Sequence, residues 1–434
     1  MQRHVRKVVV LGANGAMGAG SGEVFAAAGI PTVFLARSRD KARQGMARAE
    51  QLAKSEALGK FITLGSYGED LEREVADADL IFEAVSEELA LKREFFERID
   101  RVRRPEAIVA TVSSGLSLAS MFVDRSPGFR RHFLGIHFFN PPNVIVGCEL
   151  IPHAGTDPGV TAFVGALLRG RLGRELVVTT DSPAFCGNRI GFKVLNECAQ
   201  LAEHHGPAYI DALLGPHTGR AMAPLATIDF VGWDVHQAIV DNLYAHTRDE
   251  AHARFALPAY MAGLIEHGHL GNKSAELGGF FRRVGKGAEA QHFVLEPKTH
   301  AYLPVGKPEI PEVARTMRAL HRVGRYRAAF DVFAEATGPD ADLMRRVILG
   351  YVSYALARVG EVVESAADVD RIMGFGFNWA PPGVLVDVIG ARRTVGLLEA
   401  QHLPVPRVVA AAADSGARLF DEPKVDVGRF FQGV

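Results

Sequence analysis

Short apolar runs alternate with amphipathic or alanine-rich stretches through the first 180 residues or so. VRKVVVL (5–11) runs into a glycine and predicts a strand, and the small-residue stretch 16–29 predicts a helix. TVFLA (32–36) predicts a second strand. RDKARQGMARAEQLAKSEA (39–57) then carries its apolar positions at helical spacing. Further strands are predicted at 79–84, 107–111, 133–137, 144–151 and 175–180, with helical patterns between most of them. Strands alternating with helices mean βαβ units and a mostly parallel sheet, and right-handed crossovers wind that sheet on both faces. The expected class is α/β, a Rossmann-type doubly wound sheet at the N-terminus.

The pattern changes after residue 183. Strand alternation stops and long helical stretches follow, broken by the proline-rich segment EPKTHAYLPVGKPEIPE (296–312). An all-α C-terminal part is expected, with an internal repeat. YIDALLGPHTGRAMAPLATIDFVG (209–232) and DVDRIMGFGFNWAPPGVLVDVIG (368–390) share an order of helix, Asp, Gly/Pro turn and apolar-Asp-apolar-apolar-Gly. Asp229 matches Asp387 and Gly232 matches Gly390, which predicts a duplicated helical unit. The aromatic stripe Phe375, Phe377 and Trp379 is assigned to packing. The division expected is 1–183 for the cofactor domain, 184–295 for a first helical domain, 296–340 for a linker and helix, and 341–434 for the second repeat.

Composition narrows the classes. The chain has 434 residues, is 48% hydrophobic and 23% charged, and balances 49 Lys+Arg against 50 Asp+Glu. That is globular composition, without the excess of positive charge that broad nucleic-acid binding needs. No stretch matches the roughly 20 mainly apolar residues of a membrane span, and the N-terminal apolar run leads into a glycine turn rather than a signal-peptide cleavage site. Three cysteines without metal spacing fit a reducing, cytoplasmic setting, and the histidine pairs at 204–205 and 267/269 lack metal-ligand companions.

The turn GANGAMG (12–18) lies between a predicted strand and a predicted helix. There glycine permits a sharp turn and close approach of the backbone to a pyrophosphate, which the helix N-terminus favours. The spacing is G-x-x-G-x-x-G, one residue longer than the usual fingerprint. Gly12, Asn14, Gly15, Ala16, Met17 and Gly18 are the expected cofactor contacts. The acid that would grip a ribose 2′-hydroxyl at the end of the second strand is replaced by Ala36 and Arg37, with Arg39 beyond. Two guanidiniums there favour a 2′-phosphate, so NADP stands beside NAD.

The segment HFLGIHFFNPPNVIVGCELIP (132–152) places His137 after one apolar strand and Glu149 in the next. A carboxylate beside an imidazole orients it for acid–base work. Here the chain resembles the 3-hydroxyacyl-CoA dehydrogenase family. The resemblance rests on GANGAMG, FEAVSEELALK (82–92), SSGLS (113–117), GIHFFNPP (135–142), ELIP (149–152), DSPAFCGNRIG (181–191) and the helical repeat. The layout is similar to the dehydrogenase half of fused β-oxidation enzymes.

The resemblance implies roles. His137 would be the base for the C3 hydroxyl of a (3S)-3-hydroxyacyl-CoA, paired with Glu149. Ser114 and Asn188 would hold the C3 oxygen, and Asn140 would support the site from its turn. Glu87, Lys92 and Lys273 would lie near the cofactor, for which the family favours NAD. No metal is expected. A separate enoyl-CoA hydratase or a thiolase is the partner class it implies, with the chain a monomer or a homodimer. Two alternatives stay open from the residues: a β-hydroxyacid dehydrogenase acting on a free small acid, and a catalytically silent subunit of a fatty-acid oxidation complex.

Overall fold

The computed structural model describes residues 4–285, 287, 290–306, 309–420 and 427–431. The chain divides into two compact units, Met1–Phe185 and Cys186–Val434.

The first unit is built on an eight-stranded sheet. Its strands are β1 (Val8–Leu11), β2 (Thr32–Ala36), β3 (Ile62–Ser66), β4 (Leu80–Glu83), β5 (Ile108–Thr111), β6 (Phe133–Phe138), β7 (Gly147–Ile151) and β8 (Glu175–Val178). They lie in the order β3-β2-β1-β4-β5-β6-β7-β8. The pairs from β3 through to β6 are parallel, β6 and β7 are antiparallel, and β7 and β8 are parallel. This is the doubly wound order, extended past β6 by two reversed strands. β3 is an addition to the strands expected from the sequence. ITLGS has one short apolar alternation and then Gly-Ser, and it becomes a strand by pairing with β2 from Thr32↔Ile62 to Ala36↔Ser66.

Helices cover both faces. α1 (Ala16–Ala27), α2 (Arg39–Ala53) and α7 (Pro158–Ala166) pack over one face, contributing Phe25, Ala42 and Val164 to a core with Val10, Phe34 and Ile136. On the other face, α3 (Leu71–Ala76), α4 (Leu89–Val102), α5 (Leu118–Met121) and α6 (Pro127–Arg131) bring Val75, Phe96, Met121 and Phe129 against Val9, Ile81 and Val109. β1 is therefore buried on both sides, which is why VVVL shows no polar alternation. α2 starts where the Ser38 hydroxyl accepts the Lys41 N–H and stops where Lys54 turns left-handed at φ 52°.

The second unit is helix-rich. Its first half holds α8 (Gly187–His205), α9 (Pro207–Leu213), α10 (Pro224–Val231), α11 (Trp233–His246) and α12 (Ala259–Glu266). Its second half holds α13 (Glu312–Arg322), α14 (Tyr326–Glu335), α15 (Pro339–Ala357), α16 (Ala366–Phe375), α17 (Pro382–Ile389), α18 (Ala391–Ala400) and α19 (Arg407–Ser415). The unit is not wholly helical, which corrects the all-α expectation. β9 (Phe281–Val284), β10 (Gln291–Glu296) and β11 (Ala301–Pro304) form a small antiparallel sheet, and β11 falls inside the proline-rich stretch read as linker. Arg282 stacks over the rings of Phe293 and Tyr302, at 5.3 and 4.3 Å from their centroids, and so covers apolar surface with a residue that reads as polar.

The repeat is physical. α8 and α15 each have 19 residues and pack against each other. α10 and α17 each have eight residues, begin with proline and end on a glycine of near-identical left-handed backbone, Gly232 at φ 100° and Gly390 at φ 98°. The Asp211 carboxylate accepts the Leu225 and Ala226 N–H groups at the start of α10, and Asp370 accepts the Gly383 N–H at the start of α17. Within those helices, Asp229 accepts the N–H groups of Phe280 and Phe281, and Asp387 accepts those of Leu419 and Phe420. The two halves also meet strand-fashion at Arg220 and Trp379. Trp379 is core, and Phe377 packs against it at 5.2 Å between ring centroids.

Candidate active site

β1 ends at the glycine turn. Gly12 has φ 76°, and a Cβ there would fall 2.1 Å from the carbonyl oxygen of Ala84, so only glycine lets the turn lie against the end of β4. The Gly15 N–H donates to the Gly12 carbonyl at 2.9 Å. That hydrogen bond closes a tight turn and absorbs the extra residue of the spacing. A Cβ on Gly18 would fall 2.2 Å from the Gly12 oxygen, so the third glycine keeps α1 close under the turn. α1 starts with no side chain accepting at its cap and no acid in its first turn, while Asn14 and Ala16 are exposed. Open N–H groups at a positive helix end beside a glycine turn fit a dinucleotide's pyrophosphate.

The two arginines at the β2 end differ. Arg39 is committed, at 3.0 and 3.1 Å, to the carboxylate of Asp70, which is 1% exposed. Arg37 is exposed just past the buried Ala36. Tyr67, at the end of β3, was not singled out from the sequence. Its phenol oxygen accepts the Gly12 N–H at 2.8 Å and so braces the turn from below. Burial pushes that phenol up to about 12, against the Gly12 N–H.

One face of the sheet carries a row of buried polar groups at the C-terminal ends of its central strands. Glu83 on β4 pairs in register with Thr111 on β5, and Thr111 with Gly135 on β6. Two residues further along β6 stands His137, directly opposite Glu149 on antiparallel β7. In open α/β sheets, this end is where ligands bind. His137 Nδ1 lies 2.7 Å from Glu149 Oε2, with His137 7% exposed and Glu149 fully buried. Phe139 and Phe185 flank the imidazole at 4.9 and 5.5 Å between centroids. With Glu149 ionised, Nδ1 carries the proton and donates to it, which leaves Nε2 with a lone pair to accept another. Ala184 and Phe185 both hold left-handed backbone, φ 58° and 56°, so the chain bends sharply to bring the Phe185 ring there.

Glu87 and Lys92 stand next to this row. Lys92 is fully buried, with Nζ donating to both Glu83 oxygens at 2.8 and 3.0 Å and lying 3.3 Å from Glu87. Glu87 accepts the Ser113 hydroxyl and, at 2.7 Å, the Gly115 N–H. Burial alone would raise the Glu87 carboxyl. Lys92 together with the two donors outweighs it and holds the group below the usual carboxylate range. Ser114 is half-buried at the centre of the loop so held. Asn140 is exposed on the turn after β6. Asn188 and Lys273 belong to the second unit: Asn188 is buried in the first turn of α8, and Lys273 is paired with Asp234 at 2.7 Å. Glu83 was missed from the sequence. Its signal was an acid closing an apolar strand, with a lysine nine residues on.

The family model described as the 3-hydroxyacyl-CoA dehydrogenase NAD binding domain matches residues 7–182, and that of the C-terminal domain of the same family matches 185–280. A probable 3-hydroxyacyl-CoA dehydrogenase of Bacillus subtilis is 28% identical over 97% of the chain, and the match spans 55% of that protein's length. A probable 3-hydroxyacyl-CoA dehydrogenase of Deinococcus radiodurans is 32% identical over 64% of the chain and 83% of its own length. The crystal structure of 3-hydroxybutyryl-CoA dehydrogenase from Escherichia coli shares the fold with a TM-score of 0.69 at 21% identity, over 95% of this chain and all of that one.

Proposed function

The chain belongs to the 3-hydroxyacyl-CoA dehydrogenase family, and from that premise we propose that it interconverts a (3S)-3-hydroxyacyl-CoA and its 3-oxoacyl-CoA in fatty-acid β-oxidation. The observation that carries the reading is the His137–Glu149 pair, set on facing strands and walled by two phenylalanines.

In that role, His137 Nε2 takes the proton from the C3 hydroxyl, and Glu149 compensates the imidazolium that forms. When bound, the nicotinamide cofactor supplies the hydride acceptor. Gly12, Asn14, Gly15, Ala16, Met17 and Gly18 would hold its pyrophosphate, with Arg37, Glu87 and Lys273 also assigned to the cofactor. Lys92 would act from behind Glu87, since its ammonium is spent on carboxylates. Ser114 and Asn188 would donate to the C3 oxygen as charge develops on it, each worth about 2.7–4 kcal/mol by comparison with oxyanion sites. Asn140 would bound the substrate side.

The decisive experiment follows oxidation of NADH and NADPH, in parallel, with acetoacetyl-CoA. Free acetoacetate serves as the second substrate. Turnover of the thioester alone supports the proposal, and turnover of the free acid alone replaces it with the β-hydroxyacid reading.

A cytoplasmic setting is part of the same reading, supported by the buried thiols of Cys148 and Cys198, and no helix among the described residues is long and apolar enough to cross a membrane. The division at 183, 295 and 340 and pairing with an enoyl-CoA hydratase or thiolase are likewise proposed. The half-repeats joined at Arg220 and Trp379 favour a chain that covers its own helical face, and therefore a monomer. Sedimentation as an obligate dimer would remove that last point.

A further inference from the structure

Lys92 is turned away from solvent. Its side chain is fully buried, and an ammonium has three N–H donors. Four acceptors surround it: both oxygens of Glu83, the Val85 carbonyl at 3.4 Å and Glu87 Oε2. Glu83 is saturated in turn. One of its oxygens accepts the Val85 N–H at 2.7 Å, and the other accepts the Thr111 hydroxyl at 2.6 Å.

Followed outward, these bonds close a ring. Thr111 at the end of β5 holds Glu83. Glu83 holds Lys92, and Lys92 holds Glu87. Glu87 takes the hydroxyl of Ser113 and the N–H of Gly115, and the Ser113 N–H returns to the Thr111 hydroxyl oxygen at 3.1 Å. Both ends of the ring lie on 111–115, and Ser114 sits between its last two anchors.

We propose that Glu83 is a positioning residue for Ser114: it fixes the loop 113–115 through Lys92 and Glu87, without itself touching substrate or cofactor. The inference rests on the reading of Ser114 as a substrate donor.

The geometry separates this role from plain stability. A buried ammonium left with too little counter-charge is costly, so Glu83→Gln alone lowers the melting temperature. The double variant Glu83→Gln/Lys92→Met removes both charges of the buried pair, and its melting temperature returns most of the way to that of the parent. Glu87 then has no cation behind it, and the loop has lost one side of its ring.

The test has two arms. In the protein without ligand, amide exchange over 113–116 in the double variant is expected to speed up by about tenfold or more, while α4 and β5 stay protected. In turnover of acetoacetyl-CoA, kcat is expected to fall about tenfold or more, with the dissociation constant for NADH, read by its fluorescence, within about twofold of the parent. A double variant with restored melting temperature, parental exchange at 113–116 and parental kcat would overturn the proposal. Should that variant not fold, Ser113→Ala opens the same ring at its outer edge. It must raise Gly115 exchange in the same direction, and unchanged exchange there overturns the proposal equally. A parent protein that neither binds NADH nor reduces acetoacetyl-CoA defeats the functional reading instead, and the exchange arm still decides whether Glu83 holds the loop.

Discussion

His137 Nδ1 and Glu149 Oε2 stand 2.7 Å apart because their residues are direct partners across the antiparallel β6–β7 ladder. The carboxylate fixes which ring nitrogen carries the proton. Glu149→Gln keeps the shape but offers an amide that can donate to Nδ1 and so select the wrong tautomer. The expected result is a fall in kcat of about 10²–10⁴-fold with an unchanged melting profile, by analogy with the carboxylate of a Ser-His-Asp triad. Steady-state kinetics beside a thermal melt checks it. Near-parental kcat would remove Glu149 from the mechanism.

Arg37 and Arg39 should separate in cofactor choice. Arg39 is held by Asp70, whereas Arg37 is exposed at the β2 end. Arg37→Ala is expected to raise KM for NADPH by about tenfold, the loss of one charge-assisted contact, and to leave KM for NADH within about twofold. Arg39→Ala should change neither ratio. Equal effects of Arg37→Ala on both cofactors would show that Arg37 does not read the 2′-phosphate.

The duplicated aspartates offer a paired stability test. Asp387→Ala strips the partner from the Leu419 and Phe420 N–H groups and from the exposed Arg418 guanidinium at 3.3 Å, and should cost about 1–3 kcal/mol. Asp229→Ala also frees the Trp233 indole N–H, held at 2.7 Å, and should cost more. Both tryptophans, Trp233 and Trp379, lie in the second unit, so denaturation followed by tryptophan fluorescence reads that unit alone. A larger loss for Asp387→Ala would contradict the ranking of the buried Trp233 bond above the exposed Arg418 bond.

Asp370 predicts a pH dependence of the second unit. Burial pushes its carboxyl up to about 8 against the single Gly383 N–H, and the charge of Asp387 adds to the rise. Unfolded, an aspartate titrates near about 3.9, so between roughly pH 4 and 8 the native state holds a proton that the unfolded chain has lost. Stability from this group is therefore full below pH 4, falls as pH rises to 8 and is flat above. Asp211, pushed by burial to about 7, works in the same direction. Asp370→Asn keeps an acceptor for Gly383 and has nothing to titrate. Its melting temperature should drop less between pH 5 and pH 8 than the parent's, and parallel slopes would refute the assignment.

Much of this was legible in the residues, for identifiable reasons. The runs at 8–11, 32–36 and 133–138 are buried on both faces and so appear as unbroken apolar strings. The helical repeat was visible because Asp229 and Asp387 do the same work at the same offset from a left-handed glycine. β3 was not visible, since its strand character comes from its neighbour. β9 was hidden because Phe-Arg-Arg-Val carries no apolar alternation and its arginine packs on rings. Lys92 was placed near the cofactor from its motif. Its inward turn depends on Glu83 and Thr111, which lie on two different strands, and no spacing along the chain announces that meeting.

Because the β6–β7 ladder sets the distance between His137 and Glu149, that distance does not depend on the length of the segment 140–146, which follows the Phe139 ring packed on the imidazole. Residues can be added or removed there without a slip in register, since both strands are pinned on their outer sides by β5 and β8. The His137–Glu149 spacing and the shape of the adjoining turn are then separately variable. A lineage can rewrite that loop while the two side chains are passed on unchanged as a pair of strand positions.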